Sequence, residues 1–176
     1  MEIILKKGAF LLLACSLLLS GCGAKSDKEI KPTPSTKQTV GQINEIDVEK
    51  LSPILEITEA NGLVKMKYSL RNDNKIPANF TFPSSQTVEF TIKDESGQVV
   101  YQSSREMVYA QVITNVAVPG GKTQVWEEKV NFANKNLPYG NYEITANIVA
   151  LKVNEKNLNG EIKPVTQTIS YQKLLQ

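Results

Sequence analysis

Residues 142–150 read Tyr-Glu-Ile-Thr-Ala-Asn-Ile-Val-Ala, with an apolar side chain at almost every second position and polar ones between. Side chains of an extended strand point alternately to opposite faces, so this period of two describes a strand with one face in a core and one in water. The same period returns along the chain from Leu51 onward, in β-branched and aromatic residues broken by turn residues at short intervals. No long 3.6-residue period competes with it. The chain is therefore expected to be all-β.

The strands can be placed by their turns. Segments 54–59 and 63–70 flank Asn61-Gly62, a strong two-residue hairpin signal, with Val64, Met66, Tyr68 and Leu70 on one face and Lys65, Lys67 and Ser69 toward water. Further strands are expected over 79–82, 87–93 with Val88, Phe90 and Ile92 inward, and 98–102 beyond the Asp94-Glu95-Ser96-Gly97 turn. Pro119-Gly120-Gly121 marks another reversal, before strands over 122–132, 142–151 and 165–171. Short strands at this spacing predict an immunoglobulin-like antiparallel β-sandwich. In Leu137-Pro138-Tyr139-Gly140-Asn141-Tyr142 the last tyrosine is either the corner tyrosine of such sandwiches, bonded back to nearby backbone, or an ordinary core aromatic. Trp126, the only tryptophan, is either a core anchor or an exposed binding aromatic.

A signal peptide and a tether are expected to precede the sandwich. Lys6 and Lys7 are followed by an apolar run, 8–19, too short for a bilayer core that needs about 20 residues. It ends in Leu19-Ser20-Gly21-Cys22, a bacterial lipobox, in which the Cys22 thiol takes a diacylglyceryl group and becomes the first mature residue. Two acyl chains give stable anchoring where one does not. Residues 1–21 are thus expected to be a lipoprotein signal peptide and 22–42 a lipidated cysteine with a flexible, disordered linker, rich in Lys, Ser, Thr, Pro and Gln. Its coil span would be on the order of 25 Å. Residues 43–176 are the domain, exported and lipid-anchored to the bacterial cell membrane, facing outside the cytoplasm. The only cysteine left after processing is the lipidated one, so no disulfide is available to the domain.

Removing 1–21 leaves 18 basic and 17 acidic residues, without the basic footprint that a nucleic-acid partner requires. The chain has no histidine, which takes away the usual general base and the commonest zinc ligand. No Gly-x-Ser-x-Gly elbow is present. Gly121-Lys122-Thr123 lacks the upstream glycine of a phosphate loop, and Asn72-Asp73-Asn74 lacks the later bidentate Glu of a calcium loop; the first reads as a turn and the second as a solvated loop. Asp94-Glu95 and Glu127-Glu128 are adjacent carboxylates whose side chains diverge on a strand, and they read as solubilising charges. No enzymatic activity, metal or cofactor is expected.

One stretch goes beyond β patterning: Phe80-Thr81-Phe82-Pro83-Ser84-Ser85-Gln86-Thr87-Val88-Glu89-Phe90-Thr91-Ile92-Lys93-Asp94, then Gly97-Gln98-Val99-Val100-Tyr101. With Pro119-Gly120 and Gly140-Asn141-Tyr142 it resembles the BsuPI family of intracellular proteinase inhibitors over roughly residues 64–150. Tyr101 stands where a tryptophan is frequent in that family. The resemblance implies an immunoglobulin-like sandwich and binding to a serine proteinase, and it carries over no inhibitory residue. The lipobox implies the membrane as a partner, through Cys22, and the resemblance implies a protease, which an exported domain would meet in the envelope and hold by a loop, with 103–109 and 116–123 as candidates. The alternative is an accessory or scaffolding lipoprotein that binds another envelope protein without inhibiting it.

Overall fold

The computed structural model describes residues 45–172, so the expected signal peptide, Cys22 and the linker lie outside the described residues. After a 3₁₀ turn at Val48–Lys50 the regular structure is all strand apart from one helical turn. The hairpin β1 (Leu51–Ala60) and β2 (Leu63–Asn72) turns on Asn61 and Gly62, both at positive φ, +54° and +79°, as the Asn-Gly pair requires. β3 (Ala78–Phe82), β4 (Val88–Lys93) and β5 (Val99–Gln102) follow, then a single helical turn α1 (Ser103–Glu106). β6 (Thr114–Val118), β7 (Thr123–Asn131) and β8 (Gly140–Ile148) come next. The two-residue strands β9 (Lys152–Val153) and β10 (Lys156–Asn157) and the final β11 (Val165–Tyr171) complete the domain.

All pairings are antiparallel and make three sheets, ordered β1-β2-β7, β10-β9-β3-β6 and β11-β8-β4-β5. Their inward faces share one core, in which Tyr68, Phe80, Phe82, Phe90, Phe132 and Tyr142 are the largest fully buried side chains. This is the immunoglobulin-like sandwich that the alternation predicted. β1 runs beside β11 along one side of the sandwich. On the other side lie the free edges β7 and β5.

Val64, Met66, Tyr68 and Leu70 are all buried, as their spacing required. Ser69, expected in water, is buried too, because it sits between Ile54 of β1 and Val125 of β7 on the outer face. Tyr142 is the corner tyrosine: its hydroxyl donates to the Pro138 carbonyl at 2.6 Å. Trp126 is half-buried against Tyr68, with ring centroids 5.9 Å apart. The Tyr68 hydroxyl, by contrast, is buried without a hydrogen-bond partner among the described residues.

The Asn72-Asp73-Asn74 loop is not the solvated loop its composition suggested. Asn72 and Asn74 are buried. The Asn72 amide donates to the Ile76 and Val118 carbonyls, each at 2.9 Å, and its oxygen accepts from the Asn74 N–H at 3.0 Å. Asn74 exchanges hydrogen bonds with both backbone groups of Asp47, each at 3.0 Å. Three distant stretches of chain are thereby joined through side chains that take the place of a sheet ladder.

Candidate functional site

The nominated loop 116–123 is consumed by this knot. Val116 to Val118 belong to β6, and the remainder is a tight turn in which Gly121 N–H donates to the Asn72 carbonyl at 2.7 Å. A Cβ on Gly120 would stand 2.7 Å from the Asn74 oxygen and from the Lys75 carbonyl, closer than backbone tolerates, so only glycine fits. The side chains it leaves exposed, Pro119, Lys122 and Thr123, include no large apolar group.

The other nominated loop is built differently. α1 lasts one turn, closed by Met107 N–H donating to the Ser103 carbonyl at 2.9 Å, and the backbone at Met107 is already extended, with φ −113° and ψ 151°. From there to β6 the chain carries Met107, Val108, Val112 and Ile113 exposed to solvent. Apolar side chains gathered on one exposed loop are what a folded domain ordinarily buries, and they mark a surface held for a partner.

The base of this loop is polar and fixed. Ser103 is fully buried; its Oγ accepts from the Phe90 N–H at 3.1 Å and donates to the Glu128 carboxylate, whose oxygens lie at 2.9 and 3.1 Å. The Tyr101 hydroxyl donates to the same carboxylate. Burial, with Glu128 beside it, pushes the Tyr101 phenol far above its ordinary range, so it stays a donor at physiological pH. Glu128 thus clasps edge strand β7 to edge strand β5 and the start of α1. Its neighbour Glu127 faces solvent, as alternation demands. Glu128 is therefore not the solubilising charge that the doublet suggested. Nor is Glu95, which accepts from the Asn141 N–H and side-chain amide at 2.9 Å each.

Further bonds hold both ends of the loop. Glu89 accepts from the Ser104 N–H at 3.0 Å, and Lys135 pairs with Glu106 at 2.9 Å while lying 5.5 Å over the Tyr101 ring. At the far end Ala110 is held through both backbone groups: its N–H donates to Ser85 Oγ at 2.9 Å, and its carbonyl accepts from the Ser85 N–H at 2.9 Å. Ser103 is a hydroxyl with a carboxylate partner, but it is sealed from solvent and already bonded to backbone, so it has no room to act as a nucleophile. The arrangement stiffens a loop. Among the described residues no cluster of three or more Cys, Asp or Glu side chains could hold a metal, and no helix is long and apolar enough to cross a membrane.

The model of one protein family, described as BsuPI, intracellular proteinase inhibitor, matches residues 51–153. The chain belongs to the BsuPI family. The match opens with β1 and closes with β9, wider at both ends than the roughly 64–150 that the motifs delimit. The BsuPI motif residues fall into two groups in space. Ser85, Gln86, Glu89 and Tyr101 converge on the base of the exposed loop, with the Gln86 amide donating to Glu89 at 3.2 Å. The Asp94 to Gly97 turn, Pro119-Gly120 and Gly140-Asn141-Tyr142 serve the fold. The description of the BsuPI family is that of an inhibitor, which names binding and not catalysis.

None of the curated proteins matches the chain. Solved structures similar to it include β-glucosidase 3B from Thermotoga neapolitana in complex with glucose (12% identity over 68% of this chain and 15% of that one, TM-score 0.38). Red sea bream transglutaminase is similar at 10% identity over 69% of this chain and 16% of that one, TM-score 0.39. A penta-heme cytochrome c552 from Thermochromatium tepidum is similar at 11% identity over 69% and 39%, TM-score 0.38. The chain thus spans a small share of each, and at such scores their activities say nothing of this domain.

Proposed function

We propose that this protein is a membrane-anchored lipoprotein whose BsuPI domain binds and inhibits a proteinase of the cell envelope through the loop between α1 and β6. Residues 1–21 direct export, Cys22 carries the diacylglyceryl anchor, and residues 22–42 lift the domain, 43–176, clear of the headgroups on the outer side of the membrane. The observation that carries the reading is a loop with exposed apolar side chains in which Met107 and Val108 are held from both sides, at Ser103 by Glu128 and at Ala110 by Ser85. A loop that is already ordered loses little conformational freedom when it enters a cleft, and that favours tight binding.

The anchor is tested by labelling cells with radioactive palmitate. Label is expected on the chain and should vanish with Cys22→Ser, which should also release the domain from the membrane fraction. Inhibition is tested by titrating the protein against a panel of secreted and membrane-bound envelope proteinases. Stoichiometric loss of activity in at least one supports the reading. Capture of an envelope protein with every proteinase untouched would replace it with a scaffolding role.

A further inference from the structure

Resting on that reading, the loop also shows which proteinase it fits. Met107 to Ile113 carries no charged side chain, and the nearest charged residues, Arg105 and Glu106, are inside α1. Val108 is fully exposed, whereas the next residue, Tyr109, is half-buried, turned back toward the Ser103 and Glu128 cluster, whose carboxylate acts on its phenol. Among the described residues nothing pairs with the N–H or the carbonyl of Val108, although Met107 before it and Ala110 beyond it are both held. A residue with a bare apolar side chain and a free peptide group, following the extended backbone of Met107 on a pinned loop, has the form in which a proteinase cleft receives substrate. The cleft completes the backbone hydrogen bonds by strand-like pairing, and the pocket takes the side chain.

We infer that Val108 is the specificity-determining residue of this loop and that the partner is a proteinase whose primary pocket is apolar and uncharged, with exposed Met107 filling the adjoining subsite. A pocket with a buried carboxylate, built for Lys or Arg, is excluded by the same chemistry, since Val108 would leave that charge desolvated and unpaired. The free peptide group also argues against a lipid surface as the occupant. In hydrocarbon an unpaired N–H and carbonyl are costly, whereas in a cleft they are paired.

The test uses the full-length chain purified in detergent, with inhibition measured against one proteinase selective for apolar residues and one selective for Lys and Arg. The wild-type chain is expected to inhibit the first only. Val108→Arg is expected to weaken that inhibition by roughly 100-fold or more, because a charge enters an apolar pocket, and to create inhibition of the second enzyme. Val108→Ala, which only shortens the side chain, should weaken it about 10-fold. Unchanged thermal unfolding in both variants shows that the fold is intact. If the wild-type chain inhibits either enzyme and Val108→Arg leaves its preference unchanged, the assignment of Val108 is overturned while the inhibitor reading stands. If the wild-type chain inhibits neither and the exposed loop instead binds phosphatidylglycerol vesicles in the Cys22→Ser variant, both fall.

Discussion

The two loops nominated as contact sites have opposite constructions. At 119–122 the backbone is welded to Asn72, Gly120 is pressed against Asn74 and Lys75, and no large apolar side chain is offered to solvent. At 107–113 apolar side chains are offered to solvent, and the rigidity comes from bonds to either side of the exposed Met107 and Val108, on Ser103 and Ala110. The first loop is part of what makes the sandwich close. The second is carried by the closed sandwich, so it can be altered without cost to the fold.

The largest effect that would break this contrast concerns Gly120. Gly120→Ala is expected to lower stability by about 3 kcal/mol, since its Cβ must displace backbone, while Val108→Ser should stay within about 0.5 kcal/mol of wild type. Denaturant melts of the two variants check this, and similar midpoints would erase the distinction between the loops. Next in size is Glu128→Gln, which keeps the shape of the clasp but exchanges a charged acceptor for a neutral one. A loss of about 1–2 kcal/mol is expected, together with faster amide exchange at Met107 and proteolytic nicking near Val108. Exchange unchanged at that end would show that the loop owes its order to something other than the clasp.

Two tyrosines sharpen the comparison at a smaller scale. Tyr142→Phe removes the bond to Pro138 and should cost about 1 kcal/mol. Tyr68→Phe deletes a buried hydroxyl that has no partner, and it should leave stability unchanged or slightly raised in the same melts. The smallest effect is in pH. Burial holds the Tyr68 phenol well above its ordinary value of 10.0. A folded-state pKa raised in this way leaves stability intact below about pH 10 and erodes it as pH rises further, because the unfolded chain gives up the proton first. Unfolding midpoints measured from pH 9 to 11 should therefore fall at the alkaline end, less steeply in Tyr68→Phe than in wild type.

What could be read from sequence follows from how local each signal is. The Asn61-Gly62 hairpin and the buried stripe of β2 are written in neighbouring residues and are found where expected. The Tyr142 corner spans only four residues, and it too was visible, as one of two readings. The Asn72 knot was not, because its partner Val118 lies 46 residues away and a polar tripeptide looks the same in water or in a buried network. The β9–β10 hairpin escaped notice because its turn places Asn154 and Glu155 at positive φ without a glycine to announce it. β6 carries no strand signal of its own, since its alternation is half exposed at an edge. For the site, 103–109 is legible as a candidate loop, but the exposure of Val112 and Ile113 beyond it is not. Apolar residues in sequence look like core until the fold leaves them outside.

The clasp at Glu128 has a consequence for how such a protein can change over generations. Because the bonds that stiffen the crest are made by Ser103, Glu128, Ser85 and Ala110, none of them involves the side chains of Met107 or Val108. Under the proposed function, a substitution at the crest would redirect the domain to a new target in a single step, while the scaffold that presents it is inherited unaltered.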